Sequence, residues 1–174
     1  KVIIRGEKMN IRILGYKDAT KYKELRLQAL NDSPTSFCSS YAQEQIYTLQ
    51  ETEHNIRPQT DQFTLGAFEG DQLIGMVTFK RETNANLNHK GRLMEMYVTP
   101  EMRKKGIGRA MLEELLRLLK ENEGLEQLYV TVEATNVQVL ELCKSLDFNQ
   151  YAIEKRAMKM DGKYFDELWM VKNL

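Results

Sequence analysis

The sequence predicts an α/β fold in which helices flank a central mixed β-sheet. Two observations carry this prediction. Strand-like runs meet at Gly70-Asp71, a dipeptide typical of a tight hairpin turn. An amphipathic helical pattern over residues 107–122 lies between two further strand-like runs, which end at Val98 and Val132. Because strand, helix and strand in this order favour a parallel crossover, we expect both parallel and antiparallel pairing.

Length and composition indicate an ordinary globular chain. The 174 residues suffice for one domain, which we place at residues 9–174. Met9 would make a natural translation start, so residues 1–8 are interpreted as an N-terminal extension of uncertain origin. Basic and acidic side chains balance at 25 each. This balance argues against broad nucleic-acid binding, which usually requires a basic excess.

Cys38 and Cys143 are far apart and lack the spacing of metal ligands, so we expect reduced thiols and no metal. We find no apolar run of membrane-spanning length and no signal-peptide pattern. The expectation is a cytoplasmic protein, monomeric or homodimeric, that binds neither nucleic acid nor membrane.

The N-terminal part predicts a strand at residues 11–13 and then a helix that Asp18 caps. Residues 31–40 are rich in Ser, Asp, Thr and Pro and predict a loop. A polar helical segment follows from Tyr41 to Glu53. Because it has few apolar residues, we interpret it as a lid or rim.

The middle of the chain predicts strands at residues 62–69, 72–81 and 91–98, the last stopped by Pro100. The following helix places its apolar side chains on one face: Met111, Leu112, Leu115, Leu118 and Leu119. Gly124 ends that helix.

The C-terminal part begins with a strand over residues 127–132. Thr135 and Gln138 match a capping box, which predicts a second core helix. Asp161-Gly162 predicts a closing hairpin.

Chemistry concentrates between the strand that ends at Val98 and the amphipathic helix. Gly106 and Gly108 allow close approach of a ligand to the backbone, and the helix start offers unpaired N–H groups. Such a place binds phosphate, and the cationic side chains of the segment suit a diphosphate: Arg103, Lys104, Lys105 and Arg109. The alternative is a glycine-containing turn with a solvated basic rim.

The spacing Arg103-x-x-Gly106-x-Gly108 after a strand ending in Val-x-Pro resembles the pyrophosphate motif of the GNAT N-acetyltransferases. It is not a Walker loop, because no Gly-Lys-Ser/Thr follows. The resemblance extends to the first strand and helix, to residues 136–148 and to the closing hairpin at residues 160–170. It covers almost all of residues 9–174 in the order of the family.

The resemblance implies the GNAT acyl-CoA N-acyltransferase fold, a central mixed and mostly antiparallel sheet that splays between its fourth and fifth strands. Acetyl-CoA would be the acetyl donor. Its pantetheine arm would pair with the backbone of Met96, Tyr97 and Val98. Its pyrophosphate would bind the segment Arg103, Lys104, Lys105, Gly106, Ile107, Gly108 and Arg109. Asn136 would approach the pantetheine, although it competes for a role in starting its helix.

Glu95 is the candidate catalytic residue. Strand alternation places its side chain on the face opposite to Met94 and Met96. In many family members a carboxylate near this place acts as general base, which would remove a proton from the acceptor amine. The alternative is a surface or ion-paired glutamate.

Two positions depart from the family pattern. Cys143 stands where members often have a tyrosine that is thought to protonate the departing CoA thiolate. We favour packing over proton donation for this thiol. Asp147 replaces the usual glycine after the helix, and aspartate tolerates the left-handed conformation that this turn requires.

The sequence therefore predicts an acetyl-CoA-dependent N-acetyltransferase that transfers acetyl directly to a primary amine of a small molecule. Protein lysine or N-terminal acetylation is an alternative, as is a catalytically weak CoA-binding regulatory module. The acceptor determinants are expected in residues 33–60 and around residues 84–88.

Overall fold

A computed structural model describes residues 3, 4 and 7–174. The interpretation of residues 1–8 as an extension lies partly outside the described residues. Within that segment a short antiparallel ladder pairs Ile3–Ile4 with Glu7–Lys8.

The main sheet has seven strands, numbered here in chain order: β1 Asn10–Ile13, β2 Gln62–Glu69, β3 Gln72–Arg81, β4 Lys90–Val98, β5 Gln127–Glu133, β6 Asn149–Met160 and β7 Lys163–Asn173. The helices are α1 Ala19–Asp32, α2 Tyr41–Glu44, α3 Leu49–Ile56, α4 Ile107–Leu119 and α5 Val137–Lys144.

The strand order is β1-β2-β3-β4-β5-β7-β6, and every neighbouring pair is antiparallel except β4 and β5. The parallel pairing begins at Lys90 opposite Gln127 and ends at Leu93 opposite Val130. Beyond these residues the two strands separate. The predicted mixed sheet with a splay between its fourth and fifth strands is therefore confirmed.

Helices cover both faces of the sheet. On one face α4 and α5 pack on a cluster that includes Phe79, Met111 and Leu115, each 0% exposed. On the other face α1 and α3 pack over β1–β4 in a cluster that includes Leu25 and Ile56. Because the central strands bury apolar side chains on both faces, the region where β4 and β5 separate lies between two layers of helices.

Two predicted helix caps are wrong. Asp18 precedes α1, but its carboxylate accepts from Arg12 Nη1 and Nη2, both at 2.7 Å, and makes no cap bond. Asn136, not Thr135, caps α5, with its Oδ1 accepting from the Val139 N–H at 3.3 Å. Thr135 instead donates to Glu133 at 2.6 Å. A carboxylate or guanidinium close by competes for the side chain more strongly than an amide N–H does.

The predicted helix over residues 41–53 is two helices. Ser40 starts α2, and Thr48 starts α3 through a capping box with Glu51. The helix predicted to reach Asn122 ends at Leu119. Both differences arise at element ends, where capping decides the boundary rather than apolar periodicity.

Both predicted hairpin turns are present. Asp161 and Gly162 have φ of 49° and 77°, as a type I′ turn requires. Asp147 has φ 65°, so the expectation that aspartate takes a left-handed conformation there is confirmed. In the part of the chain that the structure describes, no helix is both long and apolar enough to cross a bilayer.

Candidate active site

A groove of about 570 Å³, here called the Gly106 groove, opens between the end of β4 and the first turn of α4. Its walls also come from the 33–37 segment and α5. All the predicted cofactor residues line it except Lys105: Met96, Tyr97, Val98, Arg103, Lys104, Gly106, Ile107, Gly108, Arg109 and Asn136. The structure therefore brings this part of the sequence prediction together in one place.

The start of α4 has the geometry of an anion site. Gly106 is its N-cap with φ 82°, and Lys104 also has a positive φ of 59°. The first helical bond runs from the Ala110 N–H to the Gly106 carbonyl at 3.0 Å. The N–H groups of residues 107–109 therefore precede the helical ladder and are available to a ligand.

The glycines keep this segment open. A Cβ on Gly106 would meet nothing within 4 Å, which leaves its surroundings free for a ligand. A Cβ on Gly108 would lie 3.0 Å from Met96 Cε, so this glycine lets α4 approach β4 closely. Together with the helix start, this cradle fits the diphosphate that the sequence analysis anticipates.

The cations of the segment have different surroundings. Arg103 Nε donates to the Val98 carbonyl at 2.9 Å, and its guanidinium pairs with Asp32 at the end of α1. Arg109 donates to Ser145 Oγ at 2.6 Å. Lys105 Nζ lies 3.3 Å from Met102 Sδ, and Lys105 is not among the residues that line the groove. Lys104 is exposed at the groove.

Tyr97 ties β4 to the end of α1. It is 4% exposed, and its hydroxyl donates to Asp32 at 3.3 Å. Burial, with the Asp32 charge second, raises the pKa of Tyr97 to about 12. The hydroxyl therefore stays protonated and keeps donating at neutral pH.

Of the two roles that the sequence left open for Asn136, the structure shows helix capping, and contact with the pantetheine stays a prediction. The Oδ1 of Asn136 caps α5, and the residue lines the Gly106 groove. It also lines a second cavity of about 260 Å³, the splay cavity, which lies where β4 and β5 separate. Capping uses only the amide oxygen, so the amide nitrogen can still donate to a ligand.

The splay cavity continues the groove into the sheet. Both are lined by Phe37, Met96, Asn136 and Val139. Cys143 also lines the splay cavity and is 2% exposed. Burial raises the pKa of its thiol to about 11. Proton transfer from the Cys143 thiol to an ordinary thiolate therefore costs roughly 3 kcal/mol of free energy. This cost favours packing over proton donation as the role of Cys143.

Glu95 sits in a β-bulge of β4. Met76 pairs with Tyr97, whereas Thr78 pairs with Met94, so β4 holds one residue more than β3 over this stretch. Glu95 takes φ 57° there. The bulge turns Glu95 to the face of its neighbour Met94, and both line the same pocket. The expected alternation therefore fails for Met94, while Met96 packs against the core on the α4 side.

That pocket, the Glu95 pocket, has about 240 Å³ and lies between α1, the α2–α3 segment and strands β2–β4. Its lining includes two cationic and two anionic side chains: Lys23, Arg26, Glu44 and Glu95. Residues 39–55 supply one wall, and they fall within residues 33–60, where the acceptor determinants are expected. The second predicted region lies elsewhere, since Leu87 lines a different groove beside Tyr129 and Trp169.

Glu95 lies where two cavities meet. It lines both the splay cavity and the Glu95 pocket, together with Arg26, Ser39 and Met94. Its Oε2 accepts from Tyr22 Oη at 3.1 Å and from Thr78 Oγ1 at 2.8 Å. A carboxylate here can take a proton from a group bound in the pocket and face a second molecule in the splay cavity.

Sequence reasoning missed the residues that surround this carboxylate. Arg26 is 4% exposed and makes two hydrogen bonds to Glu44, at 2.8 and 2.6 Å. Tyr22 and Arg26 are four apart on α1, and this spacing was the one available signal that they share a face. The pairing of Thr78 with Glu95 depends on the bulge, which left no recognised signal.

A family model described as an acetyltransferase (GNAT) domain matches residues 11–169. The chain belongs to this GNAT family. Members use acetyl-CoA, and the fold and the order of the motifs agree with this assignment.

Curated relatives match over shorter segments. An N-alpha-acetyltransferase of Sulfolobus acidocaldarius is 28% identical over 100 residues, which cover 53% of this chain and 59% of that protein. The [ribosomal protein bS18]-alanine N-acetyltransferase of Escherichia coli is 36% identical over 63 residues, which cover 36% of this chain and 42% of that protein. The chain thus spans about half the length of the curated relatives that it matches.

Solved GNAT structures share the fold. An acetyltransferase of the GNAT family from Streptococcus pneumoniae superposes with a TM-score of 0.84 at 23% identity, over 96% of this chain and 100% of that chain. A putative acetyltransferase from Salmonella typhimurium, solved with its cofactor acetyl-CoA, gives 0.82 at 19% identity, over 95% and 94% of the two chains.

Proposed function

We propose that this GNAT protein transfers acetyl from acetyl-CoA directly to the primary amine of a small molecule. The observation that carries the proposal is the position of Glu95 at the junction of the splay cavity and the Glu95 pocket. The Gly106 groove would hold the cofactor and the Glu95 pocket the acceptor, so both reactants would meet beside one carboxylate.

For the cofactor, the free N–H groups at the start of α4 would bind the pyrophosphate. The backbone of Met96 to Val98 and the Asn136 amide would hold the pantetheine arm in the splay. When bound, acetyl-CoA supplies an acetyl thioester. The separation of β4 from β5 after Leu93 leaves space for it beside Glu95.

Glu95 would act as general base. A lysine-like amine costs roughly 4.6 kcal/mol to deprotonate at pH 7, and an α-amine about 1.4 kcal/mol. Glu95 takes this proton, so that the neutral amine attacks the thioester carbon as the C–S bond breaks. The second N–H proton passes to the departing thiolate, so the products are an N-acetylated amine and CoA. Cys143 is not a nucleophile in this mechanism, since burial keeps its thiol protonated and only a thiolate attacks.

The size of the Glu95 pocket supports a small acceptor. About 240 Å³ is below the usual range for drug-sized ligands, which is roughly 300–1,000 Å³. Its lining mixes charged and hydroxyl side chains, which suits a compact polar amine. The same volume can take the first residue of a peptide. One curated relative is named an N-alpha-acetyltransferase, and another is named for acetylation of an alanine of a ribosomal protein. Acetylation of a protein N-terminus is therefore the second candidate.

An acceptor screen tests the proposal. Thiol release from acetyl-CoA is followed with amino acids, polyamines, other small amines, and peptides with a free N-terminus or a lysine. The proposal expects release with small amines. Thiol release with peptides alone would contradict the proposal and support acetylation of protein amines. Acetyl-CoA binding without release in any reaction would favour a regulatory module.

A further inference from the structure

The Glu95 carboxylate is held through one of its two oxygens. Tyr22 Oη at 3.1 Å and Thr78 Oγ1 at 2.8 Å both lie within hydrogen-bonding distance of Oε2. The two donors come from different elements, α1 and β3, on either side of the carboxylate. The other oxygen, Oε1, lies 3.5 Å from Arg26 Nη2.

Both hydroxyl groups are fixed donors. Tyr22 is 9% exposed and Thr78 is 1% exposed. Burial, with the Glu95 charge second, raises the pKa of Tyr22 well above its usual value, so the phenol stays protonated. Thr78 Oγ1 also lies 2.8 Å from Thr64 Oγ1, which fixes the rotamer that faces Glu95.

The backbone conformation of Glu95 is strained, so the contacts from Tyr22 and Thr78 are needed to hold its side chain in place. A residue with a side chain at φ 57° lies in the left-handed region, which costs roughly 1–2 kcal/mol and persists where surrounding contacts enforce it. The bulge aims the side chain, and the two hydroxyls stop its rotation. Glu95 still has 28% of its side chain exposed, so it remains open to a ligand.

Arg26 leaves Oε1 available. Its Nη2 donates to Glu44 Oε1 at 2.6 Å, while 3.5 Å to Glu95 Oε1 is long for a hydrogen bond. Arg26 therefore donates its hydrogen bonds to Glu44 and interacts with Glu95 mainly through the attraction of opposite charges. A free lone pair on Oε1 is what a base needs.

We propose that Tyr22 and Thr78 are positioning residues, which hold Glu95 by Oε2 so that Oε1 takes the proton from the acceptor amine. This inference rests on the proposed function. Oε1 takes one proton from the ammonium form of the acceptor, and the freed nitrogen lone pair forms the C–N bond while the electron pair of the C–S bond leaves with sulfur. The second N–H proton passes to the departing thiolate, which gives the amide and CoA. The proton on Glu95 then passes to solvent, which restores the carboxylate.

The test measures rates and pH profiles of Tyr22→Phe, Thr78→Val and Thr78→Ser with an acceptor found in the screen. Loss of either hydroxyl is expected to lower kcat about tenfold while KM stays within about twofold, because the acceptor contacts remain. A purely structural role is not expected to lower kcat while leaving KM almost unchanged. Thr78→Ser keeps the hydroxyl and retains the parent kcat.

Tyr129→Phe is the matched control. Its hydroxyl also donates to a glutamate, Glu82, but outside the Glu95 pocket and the splay cavity. It is expected to leave kcat and the pH profile unchanged. Melting temperature and acetyl-CoA affinity are measured for every variant, and Tyr22→Phe alone carries the test if Thr78→Val does not fold.

Glu95→Gln separates the inference from the proposed function. In the Glu95→Gln background, neither Tyr22→Phe nor Thr78→Val lowers kcat further if both hydroxyls act through Glu95. A parent-like profile for Glu95→Gln would remove Glu95 as base and overturn the proposed function. If Glu95→Gln alters the profile while Tyr22→Phe and Thr78→Val both match the parent, the positioning role is wrong and the base role stands.

Discussion

Replacing Gly106 tests the phosphate site with a built-in control. Both Gly106→Ala and Gly106→Glu place a side chain at φ 82°, so both carry the left-handed strain of roughly 1–2 kcal/mol. In a chain of 174 residues this lowers the melting temperature by about 2–8 °C. Only the glutamate adds a negative charge where the pyrophosphate would bind.

The two variants are expected to differ in their response to acetyl-CoA. At about 100 times its dissociation constant a ligand stabilises by about 2.7 kcal/mol, which raises the melting temperature by about 5–11 °C. Gly106→Ala should keep this rise, since its Cβ meets nothing within 4 Å. Gly106→Glu should lose it by charge repulsion at the helix start.

The assay is a thermal melt of parent and both variants with and without acetyl-CoA, supported by a direct binding measurement. If Gly106→Glu folds and binds acetyl-CoA as tightly as Gly106→Ala, the phosphate site lies elsewhere. If Gly106→Ala also loses binding, the loop conformation rather than the charge is responsible.

Two further predictions concern single side chains. Cys143→Ala should keep kcat within about twofold and lose about 1 kcal/mol of stability, because about one thiol in a thousand is ionised at pH 8 when the pKa is about 11. A stable acetyl adduct on Cys143 by mass spectrometry, with near-total loss of activity in Cys143→Ala, would contradict direct transfer. The hydrogen bonds from Arg12 are the main cause that lowers the pKa of Asp18 in the folded protein. The ionised carboxylate therefore stabilises the fold above the unfolded pKa of about 4. That stabilisation is lost as the pH falls through the lower pKa of the folded state. Asp18→Asn should therefore lower the free energy of unfolding at pH 7 by about 1 kcal/mol, a value reduced because Arg12 is partly exposed to solvent. Chemical denaturation measures this difference from the parent, which should shrink in acid. An equal difference at pH 2 and pH 7 would contradict the prediction.

The sequence was informative where residue type and spacing fix the structure locally. Gly106 and Gly108 before an apolar helical pattern located the groove, and Asp161-Gly162 located the closing turn. Strand alternation failed at Glu95, because a bulge inserts a residue without a glycine or proline to mark it. The caps predicted at Asp18 and Thr135 were wrong because the partners that compete for them, Arg12 and Glu133, depend on tertiary or turn geometry.

The side chains that surround Glu95 could not be predicted from the sequence, because they too depend on tertiary contacts. Tyr22 and Thr78 are 73 and 17 residues from Glu95 along the chain, and they meet it only after α1 packs on the sheet. A tyrosine on an apolar helix face and a threonine in a strand are ordinary core residues by pattern. Their function depends on the oxygen they contact.

A crystal structure of the protein with acetyl-CoA and a bound acceptor amine tests the central claim most directly. The pyrophosphate is expected on the main-chain N–H groups at the start of α4 and the thioester between β4 and β5. The amine lies in the Glu95 pocket within hydrogen-bonding distance of Glu95 Oε1. A thioester or an amine bound away from Glu95 would contradict the account.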